Sequence, residues 1–148
     1  MRTNLENDFL LPLYDVVRHM LTYADQMARF RGMTRGQWAV LAELERRPSK
    51  CQNELAGVVG LSPITIARVV DRLEALGLVE RYTDPEDRRI WRLVLTPAAG
   101  SVLRDIDRYR VKLHHVMANG IDPAVLDAML VGLSQMRENL NSGRRLHE

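Results

Sequence analysis

Residues 52–96 read QNELAGVVGLSPITIARVVDRLEALGLVERYTDPEDRRIWRLVLT, and the order of caps and turns within them decides the fold. Leu55, Ala56 and Val59 share one side of a short helix expected over about Gln52–Val59. Gly60-Leu61-Ser62 interrupts it. Ser62 is a good N-cap and Pro63 suits a first helical position, so a second helix starts there and runs to about Leu76. Gly77 stops it as a C-terminal cap. Two short helices joined by three residues that include a glycine have helix-turn-helix spacing. Residues 78–83 and 90–95 then read as strands around the polar turn-former stretch 84–89. A helix-turn-helix followed by a charged β-hairpin is the winged-helix arrangement.

On the amino-terminal side, Leu13, Val16, Val17, Met20, Ala24, Met27 and Phe30 form an apolar stripe of helical period, with Pro12 in its first turn and Gly32 at its end. Thr34 and Gln37 have the spacing of a capping box. Trp38, Leu41 and Leu44 mark the buried side of the helix that follows, which stops before Pro48. On the carboxyl-terminal side, Thr96-Pro97 and Asp122-Pro123 each begin a helix. Their stripes are Val102, Ile106, Tyr109, Leu113 and Val116, then Leu126, Met129, Leu130, Leu133, Met136 and Leu140. The predicted fold class is mostly α with a small β-hairpin wing, the winged helix-turn-helix being flanked by N- and C-terminal helices. Periodicity leaves open whether the flanking stripes close one core or build a two-fold dimer interface.

A length of 148 residues suits one domain or two small intimate halves. With 46% apolar and 27% charged residues, the chain has the balance of a folded protein. It is long enough to form a core without disulfides or structural metals. Cys51 is the single cysteine, which rules out an internal disulfide and a cysteine-based zinc site. No apolar run approaches the ~20 residues needed to cross a bilayer. The opening MRTNLENDFLLPLYD lacks a secretory pattern, so a cytoplasmic protein without a membrane partner is expected. His114 and His115 are adjacent and point to different helix faces. There is no HExxH, no phosphate loop and no nucleophile–base set beside them. Neither catalysis, metal nor cofactor is expected.

On a helical wheel, Ile66, Val69, Val70, Leu73 and Leu76 make the packed face of the 63–76 helix. Opposite lie Ile64, Ala67, Arg68, Asp71 and Ala75, with Thr65 and Arg72 at the margins. That outer side suits a DNA major groove. Ala67 and Ala75 permit close approach, Arg68 can fork onto a guanine edge, and Thr65 offers a hydroxyl or methyl. Ile64 can meet a thymine methyl. Gln52 and Asn53 open the preceding helix, where exposed amides and the dipole favour a phosphate. Ser62, at the next helix start, joins the same set. Arg88 and Arg89 at the hairpin tip suit a minor groove, where A·T tracts concentrate negative potential. Asp87 beside them would repel phosphate unless it pairs with a neighbouring arginine and fixes its direction.

Net charge is only +2, but nineteen of the 21 basic residues are arginine, whose flat fork suits phosphate and guanine. From Ser62 to Arg92 six arginines face six acids. A uniform basic patch therefore cannot drive binding there, and the direction of each side chain must. Residues 18–50 carry a net +4 that can meet flanking phosphates.

The stretch Gln52–Gly100 closely resembles the MarR family of bacterial transcription regulators. The resemblance rests on Val70-Asp71-Arg72-Leu73-Glu74, Gly77-Leu78-Val79-Glu80-Arg81, Asp84-x-x-Asp87-Arg88-Arg89 and Leu95-Thr96. The flanking helices match the family's order, and the SlyA-like subgroup looks nearest. The resemblance implies a homodimer with interlocked terminal helices, so that 1–33 and 97–148 form a helical dimerisation region around a DNA-binding domain at 34–96. It implies a pseudo-palindromic double-stranded operator matched to the protein's two-fold symmetry. Arg68 falls at the family's base-contacting arginine, Arg89 at its wing arginine and Asp87 at the acid that orients the wing. A repressor relieved by a small anionic aromatic ligand is the expectation. Arg18 and Trp38 fall at pocket positions as charge partner and stacking wall. A winged-helix protein-interaction module and a sequence-tolerant architectural DNA binder are the competing functions. Cys51, at a helix start, is either an inert thiol or a reactive one.

Overall fold

The computed structural model describes residues 8–48 and 51–143. Among the described residues are six α-helices, α1 (Leu10–Phe30), α2 (Arg35–Arg46), α3 (Gln52–Val59), α4 (Pro63–Ala75), α5 (Gly100–Ala118) and α6 (Pro123–Ser142). One antiparallel hairpin, β1 (Val79–Thr83) and β2 (Trp91–Leu95), lies between α4 and α5. This is the mostly helical winged fold read from the sequence.

Local chemistry accounts for the boundaries. The Thr34 hydroxyl accepts from the Gln37 amide at 3.2 Å, and the Gln37 side chain accepts from the Thr34 amide at 3.1 Å, closing both halves of the capping box. Gly60 and Gly77 end α3 and α4 at φ 71° and 72°, the left-handed region that residues with a Cβ resist. The hairpin pairs Val79 with Leu95 and Thr83 with Trp91. Each strand starts one residue later than predicted. The Ile90 amide is spent on the Asp87 carbonyl at 2.9 Å, so Ile90 belongs to the turn.

Two compact units divide after Arg110. In the first, Leu41, Leu44, Leu55, Ile66, Val70, Leu73, Val79 and Leu93 are fully buried. They come from α2, α3, α4 and both strands, so the helix-turn-helix and the hairpin share one core. Each such leucine contributes about 1.5–3 kcal/mol through burial.

Two expectations need correction. Leu76, assigned by the wheel to the packed face, is exposed, because α4 ends at Ala75 and Leu76 already belongs to the turn into Gly77. Thr96 does not cap the helix after it. Its hydroxyl donates to the Gly77 carbonyl at 2.5 Å and its amide to Leu78 at 3.0 Å, while Pro97–Ala99 forms a 3-10 turn leading into α5. Asp122 does cap α6, accepting from Ala124 at 2.8 Å.

The α1 and α6 stripes stay largely uncovered within one chain, whereas Val102, Ile106 and Tyr109 of the α5 stripe are buried. In α1 only Ala28 is buried, and Leu13, Val16, Val17 and Phe30 are exposed. No described residue of α6 is buried.

Candidate nucleic-acid interface

The outer face of α4 begins at its cap. Ser62 Oγ accepts from the Thr65 amide at 3.1 Å and lies 2.8 Å from the Thr65 hydroxyl, so the two side chains hold each other at the helix start. Ile64, 70% exposed, stands beside them. Arg68 and Arg72 follow along the exposed side, and neither side chain has a hydrogen bond or ion pair among the described residues. At the start of α3, Asn53 is exposed. Gln52 is half-buried, with Oε1 inside and lacking a hydrogen-bond partner among the described residues. Glu54 shares that first turn, a negative charge among amides that would otherwise favour a phosphate.

The wing is built around Asp84, a residue that sequence reasoning passed over as part of a polar turn. Its side chain is nearly enclosed, the whole residue being 6% exposed. Oδ1 accepts from the amides of Glu86 at 2.8 Å and Asp87 at 3.1 Å, and Oδ2 accepts from Arg92 Nε. Arg92 above all, and then the two amides, hold its carboxyl below the ordinary range. The spacing Asp84, Glu86, Asp87 is that of an Asx-type turn, a signal available in the sequence. Arg92 also forms an isolated antiparallel bridge with Cys51, whose backbone thereby lies against β2.

At the tip, Asp87 accepts from Arg89 Nε at 3.0 Å and Nη2 at 2.9 Å, the neighbouring-arginine pairing expected of it. The Arg89 fork lowers the Asp87 pKa, and Asp87 raises that of Arg89. Arg88 is exposed and has no side-chain partner among the described residues. Between wing and helix, Arg81 Nη2 donates to Asp71 Oδ1 at 2.7 Å, and its Nε lies 3.7 Å from Glu74 Oε2.

These pairings resolve the zero net charge of residues 62–92. Arg81, Arg89 and Arg92 are turned onto Asp71, Glu74, Asp87 and Asp84. Among the described residues Arg68, Arg72 and Arg88 remain outward without an ion pair, and so do Glu80 and Glu86. Side-chain direction, not net charge, leaves Arg68 and Arg72 as the unpaired charges of the outer α4 face.

A separate cavity of about 460 Å³ lies among α1, α2 and the first half of α5, lined by Leu21, Arg35, Trp38, Ile106, Tyr109 and Arg110 together with smaller residues. Trp38 is buried edge-on to Tyr109 at 5.8 Å, and its Nε1 has no hydrogen-bond partner among the described residues. Tyr109 stacks on Tyr23 at 6.1 Å, and burial pushes its hydroxyl pKa up. Arg18 does not line this cavity. It lies on the exposed side of α1, paired with Asp15 at 3.1 Å. The cations lining it are Arg35, 3.6 Å from Asp25, and Arg110, 3.9 Å from Asp107, neither of which the sequence reading singled out. Among the described residues no group of three or more His, Cys, Asp or Glu side chains can hold a metal ion, and no single helix is long and apolar enough to cross a membrane.

Comparison with known proteins agrees with this architecture. Residues 33–91 match the MarR family. The crystal structure of transcriptional regulator PA3341 is 33% identical, with a TM-score of 0.81 over 90% of this chain and 98% of that one. A MarR-family transcriptional regulator from Silicibacter pomeroyi is 26% identical, with a TM-score of 0.78 over 92% and 89% of the two chains. The transcriptional regulator SlyA, 24% identical, shares the fold at a TM-score of 0.80 over 92% and 96%. All three are transcriptional regulators. A capped helix-turn-helix with a shared-core wing, matched along nearly its whole length by such proteins, places this chain in the MarR family of DNA-binding transcription regulators.

Proposed function

We propose that the protein is a cytoplasmic homodimeric repressor that recognises a pseudo-palindromic DNA operator. The observation that carries this reading is the exposure of Ile64, Thr65, Arg68 and Arg72 along one face of α4, together with the exposed Arg88–Arg89 pair at the wing tip. In this mode α4 enters a major groove, Arg68 forks onto guanine, and Ile64 and Thr65 meet neighbouring base edges. Arg89, aimed by Asp87, and Arg88 reach the adjacent minor groove. Gln52, Asn53 and Ser62 lie at helix starts and position the backbone without reading sequence.

The exposed stripes of α1 and α6 support the homodimer, since soluble monomers rarely leave apolar surface of that extent uncovered. Residues 1–33 and 97–148 then serve dimerisation and 34–96 serves DNA binding. A dimer seated over a promoter excludes polymerase, hence repression. The cavity beside Trp38 suits a small anionic aromatic ligand that relieves it. Arg35 and Arg110 supply charge there, Trp38 Nε1 supplies a donor, and Tyr109 supplies a stacking wall.

Selection of bound duplexes from a random pool tests the proposal. The expected product is an inverted repeat with half-site centres about one helical turn apart. Enrichment of a single half-site, or of no sequence, overturns it and favours an architectural or protein-binding role.

A further inference from the structure

Asp71 presents a problem for the surface just described. It lies on the same side of α4 as Arg68, is mostly exposed, and would hold a negative charge toward a phosphate backbone. Glu74, one turn further on, adds a second. Each would cost affinity if left bare, because like charges brought together across an interface repel strongly.

Arg81 answers both. It rises from β1, with its side chain only 20% exposed, and its guanidinium sits 6.0 Å from the Trp91 ring centroid. From that seat Nη2 bonds Asp71 and Nε faces Glu74. Its carbon stem and guanidinium are packed between helix and hairpin, so it is poorly placed to leave for DNA. Enclosure and a rigid planar fork also keep this pairing more ordered than an exposed ion pair. We infer that Arg81 is a positioning residue whose task is to mask Asp71 and Glu74 and to hold them on the wing side of α4, leaving Arg68 and Arg72 to set the potential that DNA meets. This rests on the DNA-binding mode proposed above.

The test uses the full-length protein and its selected operator, with affinity read across a salt series. Arg81→Met exposes the acids and is expected to weaken operator binding about tenfold or more. Adding Asp71→Asn and Glu74→Gln to Arg81→Met should restore affinity to within about threefold of the wild type, a coupling that a double-mutant cycle isolates. Lost structural support would not be recovered by deleting the partners, so rescue separates masking from scaffolding. Should Arg81→Met fail to fold, Asp71→Asn with Glu74→Gln in the wild-type background decides the matter. Masked acids predict unchanged or tighter binding, whereas a tenfold loss means that they take part in recognition and overturns the inference. The triple variant should keep the wild-type salt slope, and a slope reduced by about one marks a direct phosphate contact by Arg81, which also overturns it. Absence of operator binding by the wild type refutes the DNA-binding mode itself and is separable from all of these outcomes.

Discussion

Asp87 holds Arg89 fork to fork, its two carboxylate oxygens 3.0 and 2.9 Å from Nε and Nη2, and the Arg89 amide bonds the same Oδ1 at 3.0 Å. The Arg89 side chain is nonetheless 90% exposed. Solvent screening leaves such a pair little part in stability. Its effect is directional, since a planar bidentate contact fixes where the guanidinium points.

Arg89→Ala should therefore weaken binding by an amount that depends on A·T content at the wing-facing positions of the operator. Asp87→Asn should give a smaller loss of the same pattern. Duplexes differing only at those positions provide the measurement, and indifference to their sequence refutes the wing role.

Arg68→Ala is expected to cost about 1–3 kcal/mol on the selected operator and much less on random duplex. Titration of both DNAs at one salt concentration is the check. Equal losses would make Arg68 a phosphate contact rather than a base reader.

Leu73 faces the shared core and is fully buried, so Leu73→Ala should destabilise the fold by about 2–5 kcal/mol in urea unfolding. Ile64→Ala, on the opposite side of the same helix, should change stability by less than about 0.5 kcal/mol while still weakening operator binding. Similar stability losses for both would mean that the two faces of α4 are misassigned.

Arg92 and two backbone amides hold the Asp84 carboxyl below its ordinary pKa, and Arg89 does the same to Asp87. A lowered folded-state pKa gives stability that is complete above the unfolded aspartate value, roughly 3.9, and lost as pH falls through the folded values. The wing should therefore stay ordered from pH 8 to 5 and loosen only in stronger acid. Amide NMR signals of Glu86 and Asp87 report this, and a transition between pH 8 and 5 contradicts it. Asp84→Asn should remove the Asp84 share of the acid-induced transition and leave that of the Asp87–Arg89 pair.

Leu130 is 64% exposed on α6. If the α6 stripe is covered by a second copy, Leu130→Glu places a carboxylate in that interface and should shift sedimentation from dimer toward monomer. A wild-type protein that sediments as a monomer removes the basis of the two-fold operator.

The α3–α4 turn and the hairpin were legible because caps, glycines and alternation act over a few residues, and Ser62, Gly60 and Gly77 each do locally what their chemistry predicts. The Cys51–Arg92 bridge was not, since one backbone pairing has no periodic signature. Leu76 misled because wheel angle keeps counting after the helix has stopped. Asp84 looked like an ordinary turn former, and its enclosure depends on Arg92 arriving from the far strand. Arg35 stands three residues before Trp38 on α2, a spacing that was legible, whereas only the packing of α1 and α5 against α2 leaves Arg18 out and brings Arg110 in. The zero sum of charges was visible from composition, but which arginines were spent on acids required side-chain directions.

The Thr96 hydroxyl on the Gly77 carbonyl has a mechanical consequence. Thr96 is the last residue before the run into α5, and Gly77 is the first beyond the α4 cap, so one short link couples the root of one rod to the exit of another. The exit of α4 and the approach to α5 are thus stitched together across the base of the hairpin, and Thr96→Val, which deletes the stitch while keeping the shape, should loosen that base without touching any outward-facing side chain.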